Sequence, residues 1–450
     1  MHQPATIKEA YRFFLPLIFM AELMMISHSV IHAFLARMED PKQTLAAYSI
    51  AFYFHTVVGS PVWTSQFVCI SYMRDKIMVR RLMLFYLQVT AMVAWLWILV
   101  GATPFGHWFF MRAFGASARV ASEAQTALLL LVGISIPVIV RSLGYALFMV
   151  NRRTILVTAG TAVRLASLAG LLVVLPFMLR GAAIGGAALM GCITVEAIFV
   201  WSIARHYYHQ LPAVSGPPAS YGELWRFSWP IMLVNAAESG VGFTINFFLG
   251  RLLRPELAVA SFGVLDGLMR LLLSPLRALT QTSQTLTKTR GDLRVMLRFL
   301  LQLLAIFSTV MLLFFLPPVR ALVLEDIIGL PEEMSTYVAP AMLLAFLLAI
   351  VMGSSAMFRG LVIGSKRTGS IATSAAARLL AIIAVGAVGM LLADANGAVI
   401  GMCALIGAFG AEALVLGWRL FRMDSGARRL FQEEEAGAPA AEAAAEGKAT

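Results

Sequence analysis

Apolar runs of about 20 residues or more, broken by short basic loops, fill nearly the whole chain, and each is long enough to cross a ~30 Å hydrocarbon core as a helix. The pattern predicts twelve spans, at residues 12–36, 45–72, 82–103, 124–149, 154–178, 183–204, 227–250, 257–282, 298–317, 337–358, 368–391 and 397–418. The first run extends well past the 7–15 apolar residues of a cleaved leader and contains Glu22, His28 and His32, so it reads as a retained span. Residues 104–123, with Trp108 and Phe109, and 318–334, with Leu330 and Pro331, read as amphipathic segments at the outer membrane interface. Residues 422–450 are rich in Glu and Ala without apolar periodicity, which predicts a disordered cytoplasmic tail.

The chain matches itself at a shift of 214 residues. Arg12, Phe13, Pro16, Phe34, Leu35, Arg37, Pro41, Ala46, Ser60 and Pro61 fall on Arg226, Phe227, Pro230, Phe248, Leu249, Arg251, Pro255, Ala260, Ser274 and Pro275. Arg164 falls on Arg378; the shift is then 216 at Gly181/Gly397, Gly185/Gly401, Gly191/Gly407 and Glu196/Glu412. Each half holds an even number of spans, so both begin on the same side. The expected fold is therefore an all-α polytopic membrane protein: twelve transmembrane helices in two parallel six-helix repeats, related by a pseudo-two-fold along the membrane normal. The expected domains are an N-terminal lobe at 1–205, a cytoplasmic linker at 206–226, a C-terminal lobe at 227–421 and the tail. Two such lobes around a central cavity suit alternating access.

Composition narrows the class. Hydrophobic residues make up 60% and charged residues 13% of the 450, far below the charge of a soluble domain, and mean hydropathy is +0.81. The +11 net charge sits mainly in the loops, where it sets topology rather than marking a nucleic-acid surface. Flanking Lys and Arg divide twenty against eight, which places both termini in the cytoplasm, while the excess of arginine over lysine and the alanine-rich tail point to a GC-rich bacterial genome and so to a bacterial inner membrane. Cys69, Cys192 and Cys403 lie in apolar runs without metal-ligand spacing. With no Walker A, Rossmann, GxSxG or HExxH pattern, the chain reads as a gradient-driven transporter, not an enzyme, with no cofactor and no resident metal.

Charge at bilayer depth must pair, face water or serve function. Arg164 with Glu196 and Arg378 with Glu412 occupy equivalent places and read as structural ion pairs, one per lobe. Arg270 and Arg277 have Thr56 and Trp63 at the equivalent positions, so they are asymmetric candidates for an anion; Asp266 and Arg270, one turn apart, also suit mutual neutralisation. His28 and His32 share a helix face, and with Glu22, His55, Glu238 and Asp266 they are candidates for proton or sodium coupling and gating. A metal-using membrane enzyme built on His28, His32 and His55 is the reading furthest from transport, and the duplication argues against it. Asn246, equivalent to His32, joins Arg270, Arg277, His32, Gln66 and Gln281 as the expected substrate-binding set, while Pro61 and Pro275 are candidate gating kinks.

Several short motifs add a resemblance. RFFLPL at 12–17, LAAYSIAF at 45–52, Ser60-Pro61 followed by RDK at 74–76, FSWP at 227–230, DIIGL at 326–330, NGA at 396–398 and Gly410-Ala411-Glu412 resemble the progressive ankylosis protein family. That family lies in the superfamily of multidrug extruders, oligosaccharide-lipid flippases and polysaccharide exporters. The resemblance implies a twelve-helix exporter of two six-helix lobes for small polyanions: pyrophosphate, nucleotides such as ATP, citrate or related carboxylates; the chain is expected to be a monomer. It departs at Gln66 and Gln281, where animal members carry ionisable residues. Drug and cation exporters of the superfamily place an acidic residue in the first span, the position of Glu22, so cation or drug antiport is the alternative and a lipid-linked precursor flippase the third reading. Three or more unpaired arginines at the cavity favour anions; arginines tied up in salt bridges favour the cation reading.

Overall fold

A bilayer offers the backbone no water, so every peptide group inside it must be satisfied within its own helix. The computed structural model describes residues 6–38, 40–114, 116–366, 368–392 and 396–422, and their regular structure is helical throughout. Eleven helices are long and apolar enough to cross a membrane, twelve when the bent pair Pro41–Val58 and Ser60–Tyr72 counts as one span. In order, span 1 is Ile7–Leu35, span 2 that pair, span 3 Lys76–Ala102, span 4 Ala118–Val150, span 5 Ile155–Phe177 and span 6 Ala182–Gln210. Span 7 is Tyr221–Leu249, span 8 Leu257–Leu286, span 9 Arg290–Phe315, span 10 Ala345–Gly364, span 11 Gly369–Leu391 and span 12 Gly397–Leu420. Residues 423–450, most of the expected tail, lie outside the described residues.

The repeat is visible in the helix limits. Span 7 begins and ends 214 residues after span 1, and each carries an internal proline, Pro16 or Pro230. Pro41 and Pro255 both open their helices at the first turn, where the missing N–H costs no bond. Two expected boundaries move. Residues 104–123 are largely helical, Pro104–Phe114, with Phe109 and Phe110 packed edge-on against Phe54 at 5.7 and 5.8 Å. Span 10 starts later than the expected residue 337, after a separate helix Glu332–Met342 that contains Pro340. It then continues through Arg359, whose charge is neutralised by Glu238 and Glu412.

By contacts the chain divides into two compact units: Phe13–Ala236, and the described residues up to Arg12 together with those from Ala237 on. In the first unit the segment after span 6 is tied to the turn between spans 2 and 3. Asp75 caps Met78 N at 2.7 Å and accepts from Ser215 N at 3.1 Å, and Arg81 donates to the Pro218 and Ala219 carbonyls at 3.2 and 2.8 Å. In the second unit, Thr289 and Asp292 close a capping box at the start of span 9.

Spans 2 and 8 share Ser-Pro but differ in shape. Span 2 bends by 64° at Gly59, while span 8 runs through a short 3-10 turn, Ser274–Ala278, as one span. Proline is common to both, so the difference lies beside it. A Cβ on Gly59 would stand 2.7 Å from the Trp97 ring, which stacks on His55 at 4.3 Å; the position equivalent to Gly59 is Leu273, fully buried. Gly59→Leu is expected to lower stability by roughly 1–3 kcal/mol through overpacking, seen as a reduced melting temperature of purified protein. An unchanged value would mean that Trp97 does not hold the bend.

Candidate functional site

Residues four apart on a helix share a face, and Glu238, Gly242 and Asn246 make such a row along span 7. Two arginines of span 8, two turns apart, address it. Arg277 pairs with Glu238, and an Nη atom of Arg270 lies 3.8 Å from the space that a Cβ on Gly242 would fill. Arg270 is meanwhile paired with Asp266 of its own helix at 2.7 Å.

From Glu238 a chain of ion pairs runs inward. Arg359 of span 10 donates to Glu238 at 3.0 Å and grips both oxygens of Glu412 at 2.9 Å each, a bidentate arrangement. Arg378 of span 11 bonds Glu412, lies 3.4 Å from Glu238, and places its guanidinium over the Phe409 ring at 4.8 Å. Exposure is highest at Arg277: its side chain is 52% exposed, Glu238 15%, Arg359 16%, and Arg378 and Glu412 0%. Five side chains from spans 7, 8, 10, 11 and 12 are thus tied together. Three are cations and two are anions, so one positive charge is left over, and its most accessible carrier is Arg277.

The Phe13–Ala236 unit holds a smaller version. Glu196 of span 6 accepts from Arg141 at 3.1 Å and from the Tyr145 hydroxyl at 2.6 Å, both on span 4. Arg164 does not take the part that its register with Arg378 predicts. Arg141 and Tyr145 occupy one oxygen of Glu196 each, and Arg164 Nε and Nη1 are buried without a hydrogen-bond partner. The repeat explains the exchange: Arg141 and Tyr145 fall on Ser355 and Arg359, so arginine and a hydroxyl residue have traded places across one turn of the helix. The expected Arg378–Glu412 contact is present, but as part of a larger network that also includes Arg277, reserved for substrate by the sequence reading.

The other expected residues scatter over both units. His28 packs against Phe52 at 5.0 Å and His32 edge-on to Tyr48 at 5.3 Å, while His55 is fully buried on Trp97. Gln66 donates to the Met149 sulfur at 3.5 Å; Gln281 Oε1 and Asn246 Oδ1 have no hydrogen-bond partner. Glu22 is half-buried on span 1, Pro61 follows the bend at Gly59, and Pro275 is buried in the 3-10 turn. Among the described residues no group of three His, Cys, Asp or Glu is placed to hold a metal ion. Arg359, Arg141 and Tyr145 escaped the expected set, although comparing what each repeat places opposite its glutamate would have found them.

Leaving a buried charge without its partner costs ~3–5 kcal/mol, whereas an exposed pair is worth little. Glu412→Gln is therefore expected to lower the melting temperature sharply and Asp266→Asn hardly at all, as read by tryptophan fluorescence of the purified protein. Equal effects would show that the buried pairs do not carry stability.

No family model matches the sequence, and no curated protein does. Solved structures share the fold at low identity. The eukaryotic MATE transporter AtDTX14 aligns with a TM-score of 0.74 at 16% identity, covering 95% of this chain and 98% of that one. A mutant of the Vibrio cholerae MATE transporter VcmN aligns with a TM-score of 0.76 at 16% identity, over 93% and 97%. A MOP superfamily transporter from Pyrococcus furiosus, described as having a binding pocket of reverse polarity, aligns at 0.71 and 14% identity, over 93% and 96%. The chain therefore has the two-lobed, all-helical fold of the MATE transporters of the MOP superfamily.

Proposed function

We propose that the protein is a secondary transporter that exports a small organic or phosphate-bearing anion, such as citrate, a nucleotide or pyrophosphate, by alternating access of its two lobes. The lobes are the repeats, 1–205 and 227–421, joined by 206–226. The observation that carries this reading is the ratio of three arginines to two carboxylates in the network of Arg277, Glu238, Arg359, Arg378 and Glu412. Carboxylates at bilayer depth hold a cation only when their charge is not already spent, and here Glu196, Glu238, Asp266 and Glu412 each bond at least one arginine. The surplus charge attracts an anion to the half-exposed Arg277, whose planar fork suits carboxylate and phosphate oxygens.

In this reading Arg270 and Asn246 extend the anion site along the face of span 7, with Gln281 beside them on span 8; His32 and Gln66 are the polar candidates of the first lobe. Glu22, His28, His55, Glu238 and Asp266 serve coupling to a proton or sodium gradient, and Pro61 and Pro275 shape the moving helices. The same reading places a monomer in a bacterial inner membrane with both termini in the cytoplasm, and membership of the progressive ankylosis family belongs to it. The reverse-polarity pocket of the Pyrococcus furiosus protein supports the idea that this fold accommodates either sign of substrate.

A cation or drug antiporter is the second reading. It is favoured by Glu22 in span 1, by the MATE transporters that share the fold, and by the arginine pairing itself. Arg141, Arg270, Arg277, Arg359 and Arg378 all touch carboxylates, which falls short of the three unpaired arginines that mark an anion cavity. A mixed metabolite pool in proteoliposomes under a pH or sodium gradient separates the two. Mass spectrometry is expected to find carboxylates or phosphates leaving, with about tenfold slower export by Arg277→Gln, the size of one lost charge-assisted contact. Release of cationic dyes without any anion would overturn the reading in favour of the antiporter.

A further inference from the structure

We infer that the Phe13–Ala236 unit contains a second, independent anion site, in which a small monovalent anion sits against Arg164, His28 and Tyr48. The repeat supplies the argument. In the other unit the equivalent arginine, Arg378, faces two carboxylates, Glu412 and Glu238. In this unit Glu196, equivalent to Glu412, is occupied by Arg141 and Tyr145, and the position equivalent to Glu238 is Met24. One carboxylate is missing where the sister lobe has one. Nε and Nη1 lack a hydrogen-bond partner in both Arg164 and Arg378, but Arg378 has two carboxylates within ion-pair distance and Arg164, 1% exposed, has none among the described residues, a state that costs ~2.5–3.5 kcal/mol or more at the centre of a bilayer.

The groups around it are donors in want of an acceptor. His28 and Tyr48 lie within electrostatic reach of Arg164, and both His28 Nδ1 and the hydroxyl of the fully buried Tyr48 lack a hydrogen-bond partner. His28 is one turn from Met24 on the same face of span 1, so the donors gather where the absent carboxylate would stand. The Tyr48 ring packs on Gly185, where a Cβ would come within 2.6 Å, and against His32, so its hydroxyl is held in place. Cys192, one turn before Glu196 on span 6, shares a hydrogen bond with Arg164 and offers no charge. The uncompensated charge is one and the replaced group is a carboxylate. The ligand class is accordingly a halide or a one- or two-carbon carboxylate, not a polyanion.

Anything that binds only the folded state raises its stability in proportion to the logarithm of ligand concentration once that exceeds Kd. Purified full-length protein in lipid nanodiscs is melted in sodium chloride, sodium formate and sodium gluconate at constant ionic strength, gluconate being a six-carbon polyhydroxy anion outside the proposed ligand class. The melting temperature is expected to rise with the logarithm of chloride or formate concentration, whichever is the ligand, and not with gluconate. Met24→Glu, which restores the missing carboxylate, is expected to be more stable than the wild type in gluconate and to lose the response. Arg164→Gln is expected to lose it as well. Equal wild-type melting in all three salts overturns the site whatever the variants do, and so does a Met24→Glu protein that responds as the wild type does. Neither result bears on export through Arg277, which belongs to the other unit.

Discussion

The cost of an unbalanced charge in hydrocarbon governs this molecule. A soluble protein tolerates loose arginines at its surface, but a span cannot, so each intramembrane guanidinium must find a carboxylate, water or a ligand. Spans 7, 8, 10, 11 and 12 are bound together because Glu238 and Glu412 are shared among Arg277, Arg359 and Arg378. Sharing two anions among three cations leaves the network one charge short of neutral. That shortfall, more than any single residue, gives the site its sign.

Duplication set the starting point and drift set the difference. Each lobe keeps an arginine on its fifth span and a glutamate on its sixth, yet the arginine that satisfies that glutamate from the fourth span has shifted by one turn, from 141 in one lobe to the equivalent of 145 in the other. A turn of helix rises 5.4 Å, within the length of an arginine side chain, so either position reaches the same carboxylate. The geometry of the carboxylate is retained while its donor moves.

Much of the fold was legible in the sequence because span length and the 214-residue shift are properties of the main chain. Tyr221–Leu249 repeats the limits of Ile7–Leu35, and the Ser-Pro pairs stand in register. Partner choice was less legible. Register places Arg164 opposite Glu196 as faithfully as it places Arg378 opposite Glu412, and only the first of these is pre-empted, by Arg141 and Tyr145. A long flexible side chain near several acceptors is decided by competition among neighbours, which helical periodicity does not encode. Arg359 was lost from the expected set for the same reason, since its partners lie 121 and 53 residues away in sequence.

The bend in span 2 follows the same logic in a neutral setting. Ser60-Pro61 and Ser274-Pro275 free the same backbone carbonyls, yet only span 2 bends by 64°. Where span 2 has Gly59 pressed against Trp97, span 8 has the fully buried Leu273, and Met311 stands in the place of Trp97. A proline permits a kink; the small residue and the large ring beside it determine whether the helix takes it. The two lobes therefore began with one hinge motif and differ in how far each is bent, just as they began with one arginine–glutamate pair and differ in how completely each is neutralised. In this chain the differences between the halves lie in what surrounds the retained motifs.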